Sequence, residues 1–192
     1  MPSRPSPAVG SGDGALIPGL VISGSTPRTV LLRAVGPGLA AFGVPGTLAD
    51  PVLTVFSGTK QIASNDNWQT QSNPQAVATA AVTVGAFALA ANSKDAALVL
   101  TLEPGAYTLQ ASGVGGSTGV ALVEVAELAK EHSVTLLVKD SAVSFTKTAL
   151  VRLDAENGIR VYKGEVQVTT GDTPQILREG REMQFTANNA VV

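Results

Sequence analysis

Cysteine is absent from this 192-residue chain. That excludes disulfides and thiolate metal sites, and it removes the usual cue to an oxidising compartment. Aromatic residues amount to 4% with a single tryptophan, so no broad aromatic platform for ligand stacking can be assembled. Charged residues are 15%, the net charge is −2, and the cations form no cluster, which leaves no electrostatic footprint for nucleic acid or an anionic membrane. No apolar run approaches the roughly 20 residues that cross a bilayer. Met1–Gly14 lacks the apolar core of a signal peptide, so an exported form is expected to carry a leader outside this chain. The one histidine, His132, lies in Lys130-Glu131-His132-Ser133. A Ser/His/Asp triad would need it as base with Asp140 or Asp154 behind it, and no G-x-S-x-G elbow accompanies it, so it reads as part of a solvated connector.

What is present is β-pattern. Phe87 to Val125 reads as strands separated by glycine turns with no reactive group among them: Ala97–Leu102 and Ala106–Ser112 flank Glu103-Pro104-Gly105, where Pro sets φ and Gly accepts positive φ. Ala15–Ser23 and Thr29–Ala34 are earlier strands, the second a buried apolar run stopped by Gly36-Pro37-Gly38. Val52–Phe56 and Gln61–Ala63 form an expected hairpin across Ser57-Gly58-Thr59-Lys60, with Leu53 and Val55 on one face. Gln75–Val84 is predicted as a short helix, with Pro74 opening it and Gly85 closing it, placed over an edge or open end of the sandwich. Gly113–Gly119 is predicted as a hairpin turn rather than a phosphate loop, because strand pattern stands on both sides of it.

Charge divides the chain. Residues 1–128 hold five Lys/Arg and seven Asp/Glu, whereas the 64 residues that follow hold eight of each. We place a boundary near residue 129, with 1–14 an extended arm, 15–128 a β-sandwich, 129–133 a connector, 134–187 a small β-domain and 188–192 a tail. In the second part Val134–Val138, Ala142–Phe145, Ala149–Leu153, Ile159–Tyr162 and Glu165–Val168 alternate as half-buried strands, which places Arg160, Lys163, Glu165 and Arg178 on the solvent side.

Two resemblances follow from particular residues. Gly19–Gly24, Val30–Pro37, Gly43–Gly46, Leu48–Pro51, Ser64–Trp68, Ser93–Ala97 and Pro104–Thr108 together resemble a β-sandwich domain recurring in large secreted proteins of Verrucomicrobia-type environmental bacteria, and more distantly the pre-peptidase C-terminal domains of secreted proteases. The resemblance implies an extracellular or cell-surface location and an accessory or adhesive role. Val151–Val168, with Leu177–Glu182 after it, is similar to the core of FecR-like domains, which are all-β extracytoplasmic units. That likeness implies the fold; the membrane anchor and cytoplasmic anti-sigma segment of the signalling proteins have no counterpart here.

Few residues invite chemistry. Asn65, Asp66 and Asn67, with Asp95, concentrate oxygen ligands of the kind Ca²⁺ takes, although the spacing is not that of an EF-hand and Asx residues serve ordinary turns in the same way. Trp68 follows that turn and is either an exposed ring for a glycan or interface, or a core residue at a strand end. The carboxylates Asp154, Glu156, Glu179 and Glu182 read as surface charge. The expectation is an all-β protein, an antiparallel sandwich with one short helix followed by a small antiparallel β-domain. Its work is expected to be structural or adhesive rather than catalytic, through self-association between β-strands of neighbouring copies. The alternatives are a sensory module facing an outer-membrane protein and a polysaccharide-holding accessory domain. No nucleic-acid partner, membrane insertion or cofactor other than calcium is expected.

Overall fold

A computed structural model describes residues 15–128, 134–138, 140–145, 149–153 and 158–185. The arm 1–14, the connector 129–133 with His132, Asp154 and Glu156, and the tail lie outside the described residues. Alternating burial drives the chain into strands that pack in two antiparallel sheets. The first seven strands are β1 (Gly19–Ile22), β2 (Arg28–Val35), β3 (Pro51–Ser57), β4 (Lys60–Asn65), β5 (Ala96–Leu102), β6 (Gly105–Gly113) and β7 (Leu122–Glu127). The rest are β8 (Val134–Val138), β9 (Ser141–Phe145), β10 (Leu150–Leu153), β11 (Gly158–Lys163), β12 (Glu165–Thr170), β13 (Thr173–Arg178) and β14 (Glu182–Gln184). One sheet runs β13-β12-β9-β8-β1-β6-β3-β4 and the other β14-β11-β10-β7-β2-β5.

The fold is the all-β sandwich that the strand pattern implies. Strands from either side of residue 129 pair within both sheets, β1 with β8 and β7 with β10, so the shift in composition marks no break in either sheet. Period-two side chains from both layers, among them Leu20, Leu32, Leu53, Leu109, Val125, Leu136, Val151 and Val166, share one buried core.

The helix α1 (Pro74–Val84) forms as its end signals require. Asn73 accepts from the Ala76 amide at 3.1 Å, Pro74 occupies the first turn, and Gly85 at φ +76° closes it, its N–H directed to Ala81 and Val82. Val77, Ala80, Ala81 and Val84, spaced i, i+3, i+4 and i+7, turn inward against Leu31, Ala97 and Ala126. The helix thus lies on the outer face of β2 and β5, a position decided by the small side chains on both surfaces. Gly113–Gly119 also differs from the expected hairpin. It carries the chain from β6 in one sheet to β7 in the other, because β7 finds its partners in β2 and β10.

Candidate functional site

The six-stranded sheet turns its second face away from the sandwich core, and the side chains there are not all apolar. Val123, Val125, Val151 and Leu153 point into the core, so Glu124 and Arg152 point outward. Register sets them in a row: Arg33 of β2 opposite Glu124 of β7, Glu124 opposite Arg152 of β10, Arg152 opposite Arg160 of β11, and Arg160 opposite Glu182 of β14.

Neighbouring segments cover the Arg33–Glu124 end of this row. A 3-10 turn (Pro37–Phe42) stands on one side and the segment after α1 on the other. Arg33 is fully buried; its Nη1 donates to the Phe87 carbonyl at 2.9 Å and its guanidinium lies 4.6 Å from the Phe87 ring centre. Arg33 Nε and Glu124 Oε2 are 2.9 Å apart, yet the N–H is not directed at that oxygen, so the pair is held by charge rather than by a formed hydrogen bond. Burial lowers the Arg33 pKa, an effect opposed by Glu124 and Asp95. Burial also pushes the Glu124 carboxyl above the ordinary range, against the pull of Arg33.

Beside this pair opens a pocket of about 380 Å³. Leu122 and Glu124, Leu150 and Arg152, and Tyr162 line it from β7, β10 and β11; Leu39, Phe42 and Val44 form one wall, and Gly85 and Phe87 the other. Phe42 meets Phe87 edge to face at 4.9 Å while remaining 61% exposed. A mostly apolar pocket with a few converging polar groups and a perturbed carboxyl is the usual form of a ligand site.

The residues singled out from sequence lie elsewhere. Asn65 is buried, donating to the Asn67 carbonyl at 2.8 Å and accepting from the Ala97 amide at 3.0 Å. Asp95, fully buried, accepts from the Gly36 amide at 2.8 Å, from the Gly38 amide at 3.1 Å and from Ser93 Oγ. Asp66 is exposed and Asn67 half-buried. The side-chain oxygens of Asn65 and Asp95 therefore face N–H and O–H donors and tie loops to the sandwich. Trp68 is not the exposed ring that a glycan platform needs: it is 8% exposed, packs with Leu31 and the inner face of α1, and donates Nε1–H to the Ala90 carbonyl at 3.0 Å. Arg33, Glu124 and Arg152 escaped the sequence reading, although a lone Arg inside Val30–Val35 and a lone Glu inside Leu122–Ala126 were the available signal. A charge in a buried strand demands a partner.

The fold and this pocket define an antiparallel β-sandwich with an outward-facing, partly charged cavity. No protein-family model, curated protein or solved structure matches the chain.

Proposed function

We propose that this chain is a structural or adhesive protein of the cell exterior that works by non-covalent contact, with the open flanks of its eight-stranded sheet as contact surfaces. The observation that carries the reading is the sheet order, which ends in β4 on one side and β13 on the other. Among the described residues no strand pairs with the outer flank of either. Ile62 of β4 and Ile176 of β13 are 40% and 47% exposed, and an uncovered strand bearing apolar side chains is a template for another strand. The two flanks differ, so joining one to the other in the next copy is a head-to-tail contact that extends without closing. Pro174 blunts β13, as proline does at many natural edges, whereas β4 holds none. Residues 1–14 or 187–192 of a neighbouring copy are the segments we assign to pair there. The exterior location rests on the resemblance of the segments between Gly19 and Thr108 to secreted β-sandwich domains.

The test is light scattering with negative-stain microscopy on the full chain over a concentration series, with and without calcium. Growth of fibres or sheets with concentration is expected, and Ile62→Lys should suppress it. A monodisperse monomer at every concentration overturns the reading.

A further inference from the structure

The pocket on the outer face of the six-stranded sheet goes beyond an assembly role. We infer that it is a binding site for a small apolar monocarboxylate, with Arg152 as the anchor for the carboxylate.

The shape comes from the side chains around it. Leu39, Val44, Phe87, Leu122 and Leu150 give an apolar interior, and about 380 Å³ lies at the small end of the range for small-molecule sites, roughly 300 to 1,000 Å³. Phe42 and Tyr162, 61% and 42% exposed, stand where a bound apolar body would cover them.

The sign of the head group comes from the charges. Glu124 is already committed to Arg33, which leaves one positive charge in excess among Arg33, Glu124 and Arg152. Arg152 sits opposite Glu124 in register, but its Nε is a buried atom with no hydrogen-bond acceptor. Lys163 adds a second cation at the wall: a Cβ on Gly85 would lie 2.6 Å from its Nζ. A carboxylate in the pocket can pair with the guanidinium of Arg152, which lines it, in the forked geometry that guanidinium and carboxylate share. An alcohol offers no charge, and an amine would be repelled by Arg152 and Lys163. The anchor, the apolar walls and the aromatic mouth are thus consistent with one ligand class.

The test is a methyl-NMR titration of the full chain with octanoate, octan-1-ol and octylamine, three probes with the same apolar body and different heads. Octanoate should shift the Leu122 and Leu150 methyls saturably and bind at least about tenfold more tightly than the other two. Arg152→Gln should abolish that preference while leaving octanol binding unchanged, Arg152→Lys should reduce it, and Phe42→Ala should weaken all three probes alike. Equal affinity for octanoate and octanol in the wild type, tighter binding of octylamine, no binding at all, or shifts confined to other methyls overturns the inference. Those wild-type comparisons decide the matter even if the substitutions at residue 152 disturb the fold. The outcome is independent of whether the sheet edges assemble.

Discussion

Arg33 and Glu124 face each other across β2 and β7 with Nε and Oε2 2.9 Å apart, and their side chains are 0% and 3% exposed. A buried pair of this kind is demanding in a particular way: deleting either side chain leaves polar atoms of the other buried without a partner. Removing one partner from such a pair typically costs about 3–5 kcal/mol, whereas replacing both with apolar groups of similar size is often nearly neutral. Arg33→Met and Glu124→Leu should therefore each lower the denaturation midpoint sharply, and the double variant should be more stable than the sum of the two losses implies. Simple additivity in urea unfolding would contradict the pairing.

Acidification should act on the same carboxyl. Burial raises the Glu124 pKa in the folded protein, so the folded state binds this proton more readily than the unfolded chain. Its contribution to stability is complete below the ordinary Glu pKa and is lost as pH rises through the higher folded value. Compared with Glu124→Gln, the wild type should gain in melting temperature as pH falls through that window. Thermal scans of both proteins across the acidic range provide the check, and a difference that does not vary with pH would count against it.

Asp95 holds the turn after β2 to the start of β5 through the amides of Gly36 and Gly38. Asp95→Ala leaves those donors without their charged acceptor, at a cost of about 3 kcal/mol. Asp95→Asn should recover part of the loss, since one oxygen remains. Because the oxygens of Asp95 already face donors, added calcium should leave the wild-type melting temperature unchanged; a clear rise would revive Asn65, Asp66, Asn67 and Asp95 as a cation site.

Leu48 is fully buried between two glycines, and its amide donates to the Val120 carbonyl at 2.8 Å. A Cβ on Gly36 would come within 2.0 Å of the Leu48 carbonyl oxygen, and one on Gly119 within 2.5 Å of its backbone nitrogen and Cα. Backbone cannot yield as a side-chain end can. Gly36→Ala and Gly119→Ala should each cost about 2–3 kcal/mol, while Gly38→Ala, which meets side-chain atoms of Asp95 and Val35, should cost less. Equal unfolding midpoints for all three variants would refute the clamp.

The helix was legible in its two end signals, because Pro74 and Gly85 act on their own neighbours, whereas the Asn73 cap became visible only in the structure. Legible too were β1 to β12, whose apolar patterning is a property of consecutive side chains, whereas β13 and β14 were not expected as strands. The crossing at Gly113–Gly119 was not, since a glycine turn between two strands looks the same whether they pair with each other or with strands elsewhere. Trp68 and Asp95 posed the same difficulty: an exposed ring and a buried one, or a ligand oxygen and a turn acceptor, share one local sequence.

Composition and periodicity by themselves determined the all-β class, the short helix with its Pro and Gly ends, and the two faces of strands such as β3, because these depend on backbone dihedrals and on a side-chain period of two. Tertiary structure alone decided that strands from both sides of residue 129 share two sheets, and that Arg33, Glu124 and Arg152, 91 and 28 residues apart along the chain, fall in one row. Register between distant strands is set by the packing of the whole core, and no local window of sequence contains that information.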